Sequence, residues 1–293
     1  MELDALLREQ LPDYRVTSIT GLGEGQENAA FEVNADLVLR VSKESDPAER
    51  VAVVRREARL LDVVARYASL PIPRPLFAAQ GAMAYRKVPG VPLLRVPVAL
   101  RRVHAERIAA TVGSFLGRIQ AIPHTLVAGL VGTDDDSFDR WMADAVDSWA
   151  AIRMHPHTAR QLTAHSSAIE DFLRSAPAGS LPSLVFSHND LGIEHILVDR
   201  DSLAVTGVID FSDAALVDPA YDFALLLRDL GPGAFLAAVR AAFGHLDRQF
   251  SDRAWIYARC SVLEDLQYGL QTGYPAYVDK SLVSLEWLFA DAS

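Results

Sequence analysis

The feature that most restricts the fold of this chain is a change in hydrophobic periodicity close to Val96. Before it, residues 16–43 alternate apolar and polar side chains around glycine-rich turns, a pattern that predicts β-strands. One helical segment follows at 49–67, and the apolar stretch 77–88 predicts a further strand or strand pair. After Val96 the apolar residues recur at helical spacing. The sequence therefore predicts an α+β chain with a small N-terminal antiparallel sheet and a larger, mainly helical C-terminal part.

The first long helix is predicted to bury one apolar face formed by Val53, Leu60, Leu61 and Val64. The segment LPIPRP follows, and its three prolines cannot continue a helix. Pro89-Gly90 ends the N-terminal sheet, so we expect two lobes, residues 1–88 and 89–293, with a ligand cleft between them.

Net charge and the distribution of apolar residues exclude several classes of protein. The chain has 28 basic and 38 acidic side chains, a net charge of −10, and no basic stripe of the kind that binds nucleic acid. An acidic surface would attract a cationic substrate, although the acids also serve simply to keep a protein in solution. No run of about 18 apolar residues and no secretory signal is present, and Cys260 is the single cysteine. We expect a cytoplasmic protein that contacts neither membrane nor nucleic acid.

The segment 187–224 carries the side chains that best indicate chemistry. It contains His188-x-Asp190, then His195, then a predicted hairpin around the turn DRDS, and then Ile209-Asp210. Phosphoryl transfer from a nucleotide needs one carboxylate that orients the acceptor hydroxyl and accepts its proton, and further ligands that hold Mg²⁺ on the phosphates. Asp190 suits the first task. Asp210 and His195 suit the second, because a hairpin brings its two arms side by side.

Each of these residues also has a plain structural interpretation. Taken singly, Asp190 or Asp210 is a turn or cap residue, and His195 is a hydrogen-bonded histidine of the core. A zinc hydrolase is a poor alternative, since the chain has no H-E-x-x-H motif and no cysteine pair. The ordered set within about forty residues favours phosphoryl transfer.

This order of residues resembles that of the aminoglycoside phosphotransferases and of their relatives, the macrolide and choline kinases. The family pattern is His-x-Asp, four residues, Asn, and then a hydrophobic residue followed by Asp; the chain matches it at His188, Asp190 and Asp210, and again in Asp218-Pro-x-x-Asp222. His195 replaces the usual Asn, as in some 2″-aminoglycoside and macrolide kinases. The resemblance implies a bilobal protein-kinase-like fold, with nucleotide bound by residues 1–88.

The same resemblance implies a set of nucleotide-binding residues upstream. Gly23 and Gly25 would lie in a loop that covers the phosphates, although a G-x-G-x-G segment is also an ordinary hairpin. Arg40 stands where the kinase fold has a phosphate-contacting lysine, and Glu57 would be its partner; the alternative is a plain surface ion pair.

The segment AYRKVPG resembles the hinge between the two lobes. Tyr85 would then lie at the back of the base pocket. The backbone carbonyl of Arg86 and the N–H of Val88 would pair with the nucleobase.

In this family the acceptor lies against the helical lobe, where carboxylates hold cationic antibiotics. Four acids are candidates for that role here, and each has the alternative of being a solvated acid: Asp213, Glu264, Asp265 and Glu286. The resemblance implies a monomeric, Mg²⁺-dependent O-phosphotransferase that uses ATP or GTP to modify a small cationic molecule, an aminoglycoside antibiotic first of all. A macrolide or cyclic-peptide antibiotic kinase, a metabolite kinase and a catalytically silent pseudokinase remain as alternatives.

A protein kinase is disfavoured. After Asp210 the chain reads FSD instead of FG, and no activation segment precedes Asp218-Pro219.

Overall fold

The computed structural model describes residues 2–25, 27–156, 158–175 and 182–290. Its strands are β1 (Ile19–Glu24), β2 (Asn28–Val33), β3 (Leu37–Ser42), β4 (Pro75–Ala79), β5 (Ala82–Arg86), β6 (Val91–Pro92), β7 (Gly132–Thr133), β8 (Val185–Ser187), β9 (Ile196–Val198), β10 (Val205–Val208) and β11 (Ala215–Val217). Its helices are α1 (Leu3–Gln10), α2 (Pro47–Val64), a 3-10 turn (Leu93–Arg95), α3 (Val98–Ile119), α4 (His124–Val127), α5 (Phe138–Ile152), α6 (Ala159–Thr163), α7 (Ser166–Arg174), α8 (Tyr221–Leu230), α9 (Pro232–Phe243), α10 (Arg248–Thr272) and α11 (Pro275–Leu288).

The N-terminal part is an antiparallel sheet of five strands in the order β1-β2-β3-β5-β4. This confirms the predicted α+β class, including the strand pair in the apolar stretch that becomes β4 and β5. Helix α2 begins after Asp46, whose carboxylate accepts hydrogen bonds from the N–H groups of Ala48 and Glu49, so the cap satisfies donors that the first turn leaves open. The boundary between residues 88 and 89 stays a prediction.

The buried face of α2 differs from the predicted one at a single position. Leu60, Leu61 and Val64 are buried as expected, but Val54 takes the place of Val53 in the core. Val53 instead lines an open cleft beside the helix. The two valines are neighbours on a turn of 3.6 residues, so periodicity alone assigns the edge of the stripe only to within one residue.

The C-terminal part is helical, as predicted. Helix α10 lies against α5, α8 and α11, and α3 lies along α9. The α3–α9 approach requires a glycine, because a Cβ at Gly113 would lie 2.3 Å from the carbonyl oxygen of Ala238. Within the described ranges, no helix has both the length and the apolar character needed to cross a membrane.

The predicted hairpin interrupts the helices between Ile196 and Val208. Strands β9 and β10 pair in antiparallel fashion, and β6 adds to the outer side of β9. The turn is closed by Asp199, whose carboxylate accepts the N–H of Ser202 at 2.8 Å. The structure therefore confirms the hairpin on which the candidate site depends.

Asp218 precedes helix α8 but does not cap it. Helix α8 begins later, at Tyr221, and Asp218 closes a turn by accepting the N–H of Ala220 at 2.8 Å. Its other oxygen accepts hydrogen bonds from Arg253 (2.7 Å) and Tyr257 (3.2 Å) of α10. Partners on α10 thus fix the side chain of Asp218, and the sequence around Asp218 does not indicate these partners. Helix α8 ends at Leu230, and Gly231 follows with a φ of +90°, a conformation that glycine adopts readily.

Candidate active site

The loop between β8 and β9 presents Asp190 at the protein surface while burying His188. His188 is fully buried, and its Nε2 lies 3.0 Å from the carbonyl oxygen of Ile209. Asp190 follows two residues later with 46% of its side chain exposed. The histidine therefore anchors the loop to the strand end beyond the hairpin, and the carboxylate stays accessible to a ligand.

Asp222 of α8 holds the backbone on both sides of Asp190. Its buried carboxylate accepts the N–H of Asn189 at 3.0 Å and the N–H of Leu191 at 3.1 Å. It also accepts a hydrogen bond from the hydroxyl of Ser187. Hydrogen bonds to a charged acceptor are stronger than those to a neutral one. The Asp222 carboxylate therefore holds the loop at Ser187, Asn189 and Leu191.

The hairpin brings His195 beside Ile209 and Asp210. The N–H of Ile209 donates to the carbonyl of His195 at 3.0 Å, directly beyond the last paired residues of β9 and β10. The Nε2 atom of His195 lies 3.1 Å from Oδ2 of Asp190. Asp190, His195 and Asp210 therefore converge, although they are up to twenty residues apart in the sequence.

The hydrogen bond between His195 and Asp190 sets the charge of both groups in this arrangement. Burial lowers the pKa of His195, but the hydrogen bond and charge of Asp190 outweigh burial and raise the pKa to about 9. Burial raises the pKa of Asp190, and the hydrogen bond from His195 more than offsets this, so the pKa lies below its usual value. Asp190 is an ionised acceptor at neutral pH.

Asp210 lies between a buried ion pair and the cleft. Arg40 donates to Glu57 at 2.6 Å, and each of these two side chains is only 11% exposed. The other guanidinium nitrogen of Arg40 lies 3.4 Å from Oδ1 of Asp210, and Ser212 donates to the same oxygen at 2.8 Å. Burial lowers the pKa of Arg40, but the charges of Glu57 and Asp210 outweigh burial and raise it. The Arg40–Glu57 pair is therefore not a plain surface pair.

The residues present fit a Mg²⁺ ion that is completed by phosphate. In the described part of the chain, no three histidine, cysteine, aspartate or glutamate side chains form a ready metal site. Mg²⁺ is commonly bound by one or two carboxylates together with water and substrate phosphates, and Asp210, 40% exposed, meets that need. His195 would first have to release Asp190, because its Nε2 is engaged there. Its role as a ligand stays a prediction.

Of the two glycines predicted to cover the phosphates, Gly25 lies between β1 and β2, whereas Gly23 lies within β1, opposite Ala30. A Cβ at Gly23 would meet no atom within 4 Å, and one at Gly25 would lie 3.8 Å from the carbonyl of Asn28. The N–H of Gly25 donates to that same carbonyl, and Lys43 donates to the carbonyl of Gly25 at 2.9 Å. Packing within the protein thus does not demand glycine here, and residue 26 lies outside the described residues.

Of the predicted hinge residues, Tyr85 and Arg86 end β5, and Val88 lies two residues beyond it. Tyr85 is buried, and burial raises its pKa to about 12 even though its hydroxyl interacts with Arg40. The side chain of Arg86 is exposed and pairs with Asp36 at 2.9 Å. Val88 is buried under the hairpin, where a Cβ at Gly207 would come within 2.4 Å of it. Contacts of these residues with a nucleobase stay a prediction.

Two of the four predicted acceptor carboxylates are near Asp190. Partial burial and the charges of Asp190 and Asp210 raise the pKa of Asp213. Burial, then the charges of neighbouring acids including Asp190, raise the pKa of Glu264. The negative charge of Asp190 thus acts on both side chains, and a site of negative potential favours a cation.

The other two candidates have partners within the protein, and their part in acceptor binding stays a prediction. Asp265 points into the interior, 2.8 Å from Lys280 and 3.1 Å from Arg228. Glu286 forms an exposed ion pair with Arg102 of α3. Successive residues of a helix point about 100° apart, so Asp265 can face the interior while Glu264 does not, a difference that sequence proximity conceals.

Sequence reasoning missed Asn189 and Asp134. The side-chain amide of Asn189 donates to Asp134 at 3.0 Å and to the carbonyl of Asp213 at 3.1 Å. Asn189 has a φ of +65°, a conformation that asparagine tolerates better than most residues. The run of three acids at 134–136 was the available signal, but it did not indicate proximity to Asp190.

A cleft of about 520 Å³ adjoins this group. Glu57 of α2 lines one side, and Phe211 and Ser212, directly after Asp210, line the other. Asn28, at the start of β2, contributes to the wall from the sheet.

The family model described as "Phosphotransferase enzyme family" matches residues 18–259 of the chain. The matched range includes every strand of the N-terminal sheet, the loop with Asp190 and the hairpin.

Solved structures with the same fold include kinases of two antibiotic classes. The GDP complex of wild-type aminoglycoside 2'-phosphotransferase-IIIa has a TM-score of 0.68 at 22% identity, over 99% of this chain and 98% of that one. The macrolide 2'-phosphotransferase MphH of Brachybacterium faecium has a TM-score of 0.62 at 22% identity, over 100% and 99%. The streptomycin-ATP-APH(2")-IIa ternary complex has a TM-score of 0.62 at 17% identity, over 97% of both chains. These likenesses establish the protein-kinase-like fold.

Among curated proteins, an N-acetylmuramate/N-acetylglucosamine kinase of Caulobacter vibrioides is 42% identical over 53 residues. The match covers 17% of this chain and 15% of that kinase. The similarity is therefore confined to one segment.

Proposed function

Because the chain belongs to the phosphotransferase enzyme family, we propose that it transfers the γ-phosphate of ATP or GTP to a hydroxyl of a small cationic molecule, with an aminoglycoside antibiotic as the leading acceptor. The observation that carries the proposal is the convergence of Asp190, His195 and Asp210 at the end of one hairpin. One accessible carboxylate for the acceptor and a second for the phosphate side are the groups that this reaction requires.

Asp190 is the group proposed to handle the acceptor hydroxyl. Its ionised carboxylate accepts the hydroxyl hydrogen bond, keeps the oxygen in line with the γ-phosphate and receives the proton as the new P–O bond forms. The transition state is loose, so positioning contributes more than basicity, and a carboxylate with a lowered pKa is adequate. Asp222 supports this role, since it holds the peptide groups on either side of Asp190.

On the nucleotide side, Asp210 and His195 are proposed to hold Mg²⁺, which when bound neutralises charge on the phosphates. Arg40 is proposed to contact a phosphate, with Glu57 holding its guanidinium in place. Residues 1–88 would then bind the nucleotide, and residues 89–293 would supply Asp190 and bind the acceptor.

The acceptor is proposed to be cationic because three acidic side chains are linked to the Asp190 loop by charge or by a hydrogen bond. Asp213 and Glu264 have raised pKa values, to which the charge of Asp190 contributes, and Asp134 is one hydrogen-bonded side chain away. A bound ammonium group would relieve this repulsion.

A nucleotide-turnover screen tests the proposal. Diphosphate release from ATP and from GTP, each with Mg²⁺, is measured against aminoglycosides, a macrolide, a cyclic-peptide antibiotic and N-acetylglucosamine. We expect a cationic acceptor to stimulate turnover, with a KM that rises with ionic strength because salt screens the attraction. No stimulation by any acceptor with either nucleotide would reject the proposal, and the pseudokinase alternative would then stand.

The second candidate function is phosphorylation of an N-acetylated amino sugar. It rests on the 53-residue match to the N-acetylmuramate/N-acetylglucosamine kinase. The N-acetylglucosamine arm of the screen separates the two candidates, since a neutral acceptor should show a KM that does not depend on ionic strength.

Variants of His195 test its proposed part in the metal site. His195→Asn should keep substantial turnover, because an amide oxygen is a suitable Mg²⁺ ligand and the amide N–H can still donate to Asp190. His195→Ala supplies neither group, and we expect turnover to fall by about 10- to 100-fold, as for other losses around a metal. Steady-state rates at saturating nucleotide provide the comparison.

If the Ala and Asn variants of His195 both stay close to wild type, the histidine is a packing residue. Magnesium would then be held by Asp210 and solvent alone.

A further inference from the structure

Five charged side chains are buried together beneath the loop that carries Asp190. We call them the charge cluster, and its members come from three helices and the loop: Glu194, Arg228, Asp229, Asp265 and Lys280. The side chains of Lys280 and Asp229 are each only 1% exposed. Nothing in the proposed chemistry uses these groups directly.

Lys280 of α11 is the centre of the charge cluster. Its Nζ lies 2.8 Å from Asp265, 3.0 Å from Glu194 and 3.7 Å from Asp229. Arg228 donates to both oxygens of Asp229, at 2.8 and 3.0 Å, and approaches Asp265 at 3.1 Å. Burial raises the pKa of Asp229, but the charges of Arg228 and Lys280 outweigh burial and hold it below its usual range. The carboxylate is therefore ionised within the interior.

Stability alone is a poor explanation for such a cluster. Removing charges from water is costly, and buried ion pairs can often be replaced by apolar residues without loss of stability. A buried network does, however, fix the relative positions of the segments that contribute to it.

The charge cluster is hydrogen-bonded to the Asp190 loop at two successive residues, Ile193 and Glu194. Asp229 accepts the N–H of Ile193 at 3.1 Å. Lys280 donates to both carboxylate oxygens of Glu194, at 3.2 and 3.0 Å. The next residue is His195, whose ring is hydrogen-bonded to Asp190.

We propose that Lys280 is a positioning residue for catalysis, which holds the 188–195 loop through Glu194 and Asp229 and so sets the placement of His195 and Asp190. The inference rests on the proposed phosphotransfer for its consequence in turnover. Without the ammonium, Glu194, Asp229 and Asp265 would repel one another, and the loop is the segment without helical restraint that would move. Asp265 also ties α10, which carries the predicted acceptor carboxylate Glu264, to the same network.

Hydrogen exchange tests the proposal without relying on activity. The variants are Glu194→Gln and Lys280→Met, and Asp171→Asn is the matched control, since it breaks an exposed ion pair on α7. In Glu194→Gln, backbone amides of the 188–198 segment should exchange at least about tenfold faster, while α3 and α5 exchange as in wild type. If Lys280→Met does not fold, Glu194→Gln alone decides.

Turnover provides the second measurement. We expect Glu194→Gln to lower kcat by about tenfold, as expected when an interaction important in the transition state is weakened. Where Lys280→Met folds, the double variant Glu194→Gln/Lys280→Met should be no slower than Lys280→Met, because both changes remove the same Lys280–Glu194 ion pair. Asp171→Asn should match wild type in both measurements.

The proposal is overturned if the loop amides of Glu194→Gln exchange at the wild-type rate, or if exchange accelerates equally in every segment. A wild-type chain without phosphotransfer activity would reject the proposed function, and the exchange result would still decide whether the charge cluster holds the loop.

Discussion

Asp190→Asn is expected to lower phosphoryl-transfer turnover by about 10²- to 10⁴-fold, the range that a general base typically contributes. The amide oxygen of asparagine can still accept the hydrogen bond that His195 now makes at 3.1 Å, so the loop should keep its shape. The substitution removes the negative charge and the proton acceptor, which act on the transition state more than on nucleotide binding. Steady-state kinetics with saturating acceptor measures the loss.

The nucleotide affinity of Asp190→Asn is the control for its turnover. Binding measured by calorimetry should stay within about threefold of wild type, because Asp190 is proposed to act on the acceptor and not on the phosphates. Turnover within tenfold of wild type would remove Asp190 from its assigned role.

Asp210→Ala is expected to abolish the dependence of nucleotide affinity on Mg²⁺. Asp210, 40% exposed, is the carboxylate proposed to bind Mg²⁺, and Mg²⁺ takes few protein ligands, so its loss should remove the principal anionic ligand. Arg40 should keep its partner Glu57, 2.6 Å away in the wild-type structure, so the guanidinium proposed to contact a phosphate should stay in place. Nucleotide titrations by calorimetry, with and without Mg²⁺, provide the measurement.

Asp201→Ala is the matched control for Asp210→Ala. It removes an exposed carboxylate from the turn of the same hairpin, and the Mg²⁺ dependence should persist. An equal Mg²⁺ dependence in wild type and Asp210→Ala would show that the ion is held elsewhere.

The α+β architecture was predictable because each region has a clear periodicity. Alternation between residues 16 and 43 gave β1, β2 and β3, and helical spacing after Val96 gave α3 and α5. The turn DRDS between two apolar segments correctly indicated the hairpin that unites His195 with Asp210. Local pattern is sufficient where local backbone geometry decides the outcome.

The side-chain partners at the site were less predictable, because they come from distant segments. Nothing adjacent to His195 in sequence indicates that its ring binds Asp190 instead of pointing to open solvent. Asp222 was placed by the motif, but its function depends on two backbone N–H groups presented by a loop thirty residues earlier.

The acceptor carboxylates show the same limit. Glu264 and Asp265 are equivalent in sequence, and only the packing of α10 against α8 and α11 sends Asp265 into the charge cluster. Arg102 of α3, 184 residues earlier in the chain, likewise determines the position of Glu286. The rotation of a helix about its own axis depends on tertiary packing, so the local sequence does not determine which of its residues face the interior.

The measurement that tests the central claim most directly is the mass of the acceptor after incubation with Mg²⁺ and nucleotide. The proposal predicts that wild-type protein adds one phosphoryl group to a cationic acceptor with one diphosphate released for each product, and that Asp190→Asn adds almost none in the same time. An acceptor of unchanged mass, with nucleotide hydrolysed to diphosphate and free phosphate at the same rate by both proteins, would contradict it.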